Sequence, residues 1–286
     1  MATVPARVSN RLTAVLKRYQ PIIESAKLRD VNESDTVIIV TDLLSEMFGF
    51  DKYADVTSEL AIRGSYCDLA TKIDEKVCCL YEIKSAGLDL KDVHTKQAVD
   101  YAANKGVDWV VLTNASVWKI YRVIFGRPVD YEIVAEFDLL TLDPKDSNDL
   151  GVLYLLCKEA FHKSVLEEYS EQRQALSRFT IAAVVLSPAV LQTIRRELRR
   201  LAPGVKIETE EIAAVFTREV LKRDSLEGDK AEEARRKVAR AMAKAAREKA
   251  AESEPAPLDI HTNSAGQNTQ AAAAAVGVGS PEPNAG

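Results

Sequence analysis

No run of about 18 apolar residues occurs in this chain, so nothing in it reads as a membrane span. The leading residues, Met1 to Arg7, carry no apolar signal segment. There are only four cysteines, and none is spaced Cys-x-x-Cys. That argues against a zinc site and against a disulfide framework. The adjacent pair Cys78 and Cys79 reads as small buried strand residues, and the expected setting is a reducing cytoplasm. No Gly-x-x-x-x-Gly-Lys-[Ser/Thr] loop is present, which excludes an ATP-driven motor in this chain. A basic excess is missing too: 38 Lys and Arg face 43 Asp and Glu, for a net charge of −5. The total does not advertise nucleic-acid binding, nor does it exclude it, because local fields matter more.

What is present suffices for a sizeable core: 286 residues, 47% hydrophobic and 28% charged. Residues 7 to 28 read as a helix, with basic positions Arg7, Arg11, Lys17 and Arg18. A second helix runs from about Glu33 to Phe48, capped by Asn32 or Ser34 and ended by Gly49. Three strand candidates follow, Thr57 to Ile62, Tyr66 to Ile73 and Val77 to Lys84. A polar helix from Lys91 to Asn104, closed by Gly106, separates them from a strand at Trp109 to Thr113. That helix is long enough for a crossover, so the strands it joins can be parallel. Strands at Trp118 to Val123 and Asp130 to Phe137 complete the sheet. The expected fold class is α/β, a mixed β-sheet flanked by helices, with a C-terminal helical appendage and a disordered tail.

The division expected is an α/β domain over 1–146, a helical appendage over 147–228, a solvated charged helix over 229–252 and the tail over 253–286. Within the appendage, Leu150 to Ala175, Ser187 to Leu201 and Glu208 to Arg223 read as helices. Their apolar stripes need a partner surface. The tail is Ala, Gly, Pro, Ser and Asn with almost nothing to bury.

The chemistry concentrates on the strands around Asp74-Glu75-Lys76, a three-residue turn candidate. If Ile73 pairs with Val77, Asp68 falls opposite Glu82. Directly opposed residues share a face, and alternate residues of a strand do too. Asp68, Glu82 and Lys84 then converge on one spot. Two carboxylates and one ammonium suit a divalent metal and an activated water. The bland reading is a salt-bridge ladder involving Lys72 as well. Like charges directly opposed on a sheet are unfavourable without a counter-ion, which favours the metal. Gly64 precedes the first strand, where a tight lead-in is useful. Gln97 and Tyr101 form an i, i+4 pair on the following helix, with His94 on the same face. An ordinary amphipathic helix, with His94 solvated, explains them equally well.

Taken together these residues resemble the PD-(D/E)XK nuclease superfamily, most closely the N-terminal nuclease domain of type I restriction enzyme R subunits. The matching text is Asn32-Glu33-Ser34-Asp35-Thr36, Gly64 to Asp68, Tyr81-Glu82-Ile83-Lys84-Ser85 and Gln97 to Ala102. It continues with Leu112-Thr113-Asn114 and Trp118-Lys119-Ile120-Tyr121. The resemblance covers about residues 30 to 125. It implies a restriction-endonuclease-like core and a metal-dependent endonuclease hydrolysing phosphodiester bonds, DNA first among its substrates. It implies that Asp68 and Glu82, with the Ile83 carbonyl, hold Mg²⁺ or Mn²⁺, and that Lys84 polarises the attacking water. It gives Glu33 a water-mediated role at the metal, though a plain first-turn helix residue is the other reading. Gln97 and Tyr101 would brace the site or touch a phosphate. Lacking a motor, such a chain would act alone, as a homodimer, or with partner subunits of a defence system. The alternative is a non-catalytic nucleic-acid-binding or protein-interaction module on the same fold. Arg195, Arg196, Arg199 and Arg200 can contact a DNA backbone. A solvated face opposite Val190, Leu191, Ile194, Leu198 and Leu201 is the preferred reading, because Glu197 interrupts the charge.

Overall fold

The computed structural model describes residues 3–62 and 65–252. Gly64 and the tail from Ser253 lie outside the described residues. The chain divides into two compact units, Met1–Val238 and Ala239–Gly286. The first holds every element described below except residues 239–252 of the last helix.

Helix α1 (Ala6–Leu28) buries Val8, Leu12, Leu16, Tyr19, Ile23 and Ala26. The spacing of three and four residues is that of one helical stripe. Helix α2 (Glu33–Glu46) starts at Asn32, whose side chain accepts the Asp35 N–H at 2.9 Å. Gly49 ends this region in the left-handed conformation, at φ 83°.

The sheet has six strands in sequential order: β1 (Val56–Ile62), β2 (Ser65–Ile73), β3 (Lys76–Ile83), β4 (Trp109–Thr113), β5 (Val117–Ile124) and β6 (Asp130–Asp138). Neighbours are antiparallel except β3 and β4, which run parallel. Helix α3 (Asp92–Lys105) makes the crossover that parallel pairing requires, and Gly106 closes it at φ 70°. It packs over β2, β3 and β4. On that face Ala70, Leu80, Val110, Leu112, Tyr121 and Val123 form a core with Ala98, Val99, Tyr101 and Ala102 of the helix. On the other face Leu69, Cys79, Tyr81, Ile83, Val111 and Ile120 meet α1 and α2.

The β2–β3 hairpin differs from expectation in its turn. Ile73 pairs with Lys76, so the turn is the two residues Asp74 and Glu75, at φ 49° and 63°. Positive φ at both positions matches the twist that a two-residue hairpin turn needs. Lys72 pairs with Val77 but Thr71 with Cys79, leaving Cys78 as the extra residue of a bulge. The bulge returns the residue that the turn gave up. Leu69 and Tyr81 are the last pair of this ladder, and the same register carried one step further sets Asp68 against Glu82.

The helical segment after the sheet is more broken than its sequence suggested. The span 150–175 is three helices, α4 (Ser147–Tyr154), α5 (Lys158–Phe161) and α6 (Val165–Ala175). Leu153, Tyr154, Leu155, Leu156 and Cys157 are all buried. Five consecutive buried residues cannot lie on one helical stripe, so the chain turns where they occur. Leu150, Leu153, Tyr154, Leu156, Val165 and Leu166 belong to the same core as α1, α2 and the sheet. Helix α7 (Arg178–Val185) was not anticipated; Ser177 caps it, accepting the Thr180 N–H at 3.2 Å. Then come α8 (Pro188–Leu201), with Pro188 in its first turn, and α9 (Thr209–Val215), which widens into a π turn over Phe216–Val220. Helix α10 spans Asp229–Glu252. Among the described residues, no helix is long and apolar enough to cross a membrane.

Candidate active site

The site lies where β3 ends. The Lys84 N–H donates to the Thr113 carbonyl at 2.8 Å, extending the parallel pairing by one residue. Lys84 Nζ lies 2.8 Å from Glu82 Oε1 and 3.3 Å from Glu33 Oε2. Asp68, opposite Glu82, accepts the Ile83 N–H on Oδ2 at 2.6 Å. A strand residue sends its N–H and C=O to the same side, so the Ile83 carbonyl faces β2 and Asp68. Four sequence-predicted residues from three elements are thus brought together: Glu33 from the first turn of α2, Asp68 from β2, and Glu82 and Lys84 from the end of β3.

Burial governs the electrostatics. Glu82 is only 5% exposed. Its carboxyl sits above the usual range, first because of desolvation, with the Asp68 charge adding to the rise and the Lys84 hydrogen bond opposing it. Desolvation also raises Asp68, against the Ile83 N–H and the Lys84 charge. For Lys84, desolvation pulls the pKa down, but the Glu82 hydrogen bond and the charges of Glu82, Glu33 and Asp68 outweigh it. The ammonium is therefore held above its ordinary value. Cys67, next in sequence to Asp68, is pushed up to about 12 by burial and stays a thiol.

The donor set fits a hard divalent cation. Two carboxylates and a backbone carbonyl are all oxygen ligands, and Mg²⁺ takes one or two carboxylates while keeping waters. Among the described residues, no group of three or more His, Cys, Asp or Glu side chains is arranged to hold a metal ion. A cation here would rest on Asp68 and Glu82, with Glu33 entering through Lys84.

No protein-family model, curated protein or solved structure matches the chain. The functional reading therefore stands on the site alone.

The other candidates lie on α3, which packs over β2, β3 and β4, and on α8. Gln97 is exposed on α3, whereas Tyr101 is buried in the core beneath that helix. The two share a helix but not an environment. His94 accepts the Lys91 N–H on Nδ1 at 3.3 Å, so it serves the start of α3. On α8, Arg195 donates to the Ile207 carbonyl at 2.9 Å and lies 3.3 Å from Glu208. Arg196 and Arg200 both pair with Glu197, at 3.4 and 2.8 Å, and Arg199 is exposed. Three of the four arginines are engaged within the α8–α9 region, which suits the solvated structural face.

One positioning residue had no role assigned from sequence. Asn114 is buried, donates from Nδ2 to the Leu88 carbonyl at 2.9 Å, and accepts the Val117 N–H at 2.8 Å. It ties the segment after Lys84 to the β4–β5 turn. Its signals were its place in Leu112-Thr113-Asn114 of the resemblance and in Asn114-Ala115-Ser116, which reads as a turn.

Proposed function

We propose that this chain is a Mg²⁺-dependent endonuclease acting on nucleic acid, DNA first among its substrates. The observation that carries the reading is the Lys84–Glu82 contact of 2.8 Å beside Asp68, which accepts the Ile83 N–H at 2.6 Å from the neighbouring strand. Asp68 and Glu82 would hold the cation, with the Ile83 carbonyl beside them. When bound, Mg²⁺ would polarise a phosphoryl oxygen and lower the pKa of a water. Lys84 supplies a compact positive charge where negative charge builds in the transition state. Its Nζ, 2.8 Å from Glu82 and 3.3 Å from Glu33, is placed as a hydrogen-bond donor there. Asn114 and the Thr113 carbonyl fix the backbone on either side of Lys84. A second copy or partner subunits belong to the same proposal, since the chain carries no motor motif.

A second reading, a non-catalytic nucleic-acid-binding or protein-interaction module, draws on one observation. Lys84 already pairs with both Glu82 and Glu33, so the cluster can satisfy itself as an ion-pair network. A cleavage assay with Mg²⁺ or Mn²⁺ on plasmid, linear duplex DNA, single-stranded DNA and RNA separates the two. Cleavage that vanishes in Asp68→Asn and in Lys84→Ala supports the nuclease. Intact substrates throughout, or turnover surviving in both variants, refutes it.

A further inference from the structure

Lys119 lies on the catalytic face, and nothing above gives it a function. Glu82 pairs with Leu112, Leu112 with Lys119, and Lys119 with Glu136. Directly opposed residues share a face, so Glu82 and Lys119 point the same way with Leu112 between them. Strands are spaced about 4.8 Å apart, which puts the two columns about 10 Å apart. Both lysines sit at the same end of the sheet: Lys84 follows β3 where it ends, and Lys119 is near the start of the antiparallel β5.

The Lys119 ammonium is only loosely committed. Its Nζ lies 3.4 Å from the Leu90 carbonyl and 3.4 Å from Glu136 Oε1, both at the long end of hydrogen bonding. Glu136 is half exposed, and such a pair contributes little. An ammonium has three donors, so at least one is left over. The stem is mostly covered, the side chain being 17% exposed. A cation on a restrained stem, beside a site that acts on a phosphodiester, suits a backbone phosphate of the same strand.

We infer that Lys119 is a substrate-positioning residue that binds a backbone phosphate of the nucleic acid about 10 Å from the Glu82 column. The inference rests on the nuclease reading. It predicts that the substrate strand passes the end of the sheet where β3 finishes and β5 begins, beside α3, which covers Leu112. Glu136 is then a competitor for the same ammonium.

The test is equilibrium binding of a short fluorescein-labelled duplex DNA to the full chain, with Ca²⁺ in place of Mg²⁺, from about 50 to about 200 mM salt. Lys119→Gln should lower the slope of log affinity against log salt by about 0.9 and weaken binding roughly 8-fold at about 0.1 M salt. Lys119→Arg should keep the wild-type slope. Glu136→Gln should tighten binding roughly twofold to fivefold by releasing the ammonium. The gain from Glu136→Gln should vanish in the Lys119→Gln background, whereas a lysine acting only as a strut to Leu90 leaves it in place, so the pair decides even where Lys119→Gln lowers the melting temperature. An unchanged slope in Lys119→Gln together with no tightening in Glu136→Gln overturns the inference while leaving the nuclease reading intact. Wild-type protein that binds no duplex DNA, single-stranded DNA or RNA overturns both.

Discussion

Replacing Lys84 by Ala should cost stability in a way that depends on pH, with the window set by Glu82. Lys84 and Glu82 are 16% and 7% exposed as side chains and 2.8 Å apart, so their hydrogen bond is largely shielded from water. A charge-assisted hydrogen bond of this kind contributes about 1.5–3 kcal/mol. The contact to Glu33 adds little, because that carboxylate is half exposed and screened. The expected loss at pH 7 is about 2 kcal/mol, or roughly 4–8 °C in melting temperature for a unit of this size. The sign of the pH dependence follows from the shift. The folded-state pKa of Glu82 is raised, and losing Lys84 removes the hydrogen bond that opposes the rise. Below the ordinary carboxylate pKa, Glu82 is protonated with or without Lys84, and only packing of the lysine stem is lost. As pH rises through the raised pKa, folded wild-type protein gains the ion pair while the variant must ionise a buried, unpaired carboxyl. The cost of Lys84→Ala should therefore grow between about pH 4 and pH 7. Thermal melts of both proteins across that range measure it. A cost of equal size at pH 4 and pH 7 would refute the claim that Lys84 neutralises Glu82.

Arg11 provides a contrast, for its bidentate contact with Glu159 at 2.7 and 2.8 Å lowers the Glu159 pKa. Arg11→Ala should cost about 2 kcal/mol near pH 7, discounted for the partial exposure of Glu159. That cost should fade only as pH drops through the depressed pKa, so at lower pH than the Lys84→Ala effect; melts of the two variants side by side check the order. Mg²⁺ should raise the wild-type melting temperature more at pH 8 than at pH 5, since the raised Asp68 and Glu82 must ionise to bind it. Saturation to about 100 times Kd stabilises by about 2.7 kcal/mol, and Asp68→Asn should abolish most of the shift, as differential scanning calorimetry would record. Truncation after Pro144 should remove Leu153, Tyr154, Leu156 and Leu166 from the main core; the product should aggregate or bind a hydrophobic dye, and a soluble fragment with wild-type melting would contradict that core.

The elements nearest the site were legible because each obeys one period. The helix over residues 7 to 28, the Asn32 cap and the Gly106 terminus are local signals, and the structure carries all three. Beyond β6 the local signal competes with burial on all sides. The run from Leu153 to Cys157 reads as a continuing helix, yet every one of its residues is buried, and packing breaks the helix there. Helix α7 had a cap in Ser177 and a run of apolar residues, but no polar face to give it a period.

The register at the site was reached through a turn that is shorter than expected. Parity decides which face a side chain takes, and a two-residue turn alone would have moved every β3 side chain against β2 by one step. Cys78 prevents this by bulging, with its Sγ 3.3 Å from Thr71 Oγ1. Nothing in Val77-Cys78-Cys79-Leu80 distinguishes a bulged cysteine from a paired one, since all four are compatible with burial. The requirement that Asp68 and Glu82 share a face therefore constrains turn and bulge jointly rather than either alone. Deleting Cys78 tests this directly. With the turn held at Asp74-Glu75, the deletion removes only the unpaired residue: Thr71 still meets Cys79, Leu69 still meets Tyr81, and Mg²⁺-dependent stabilisation should survive. Loss of metal-dependent melting from a deletion protein that folds would show that the bulge has a role at Cys78 itself rather than in the register.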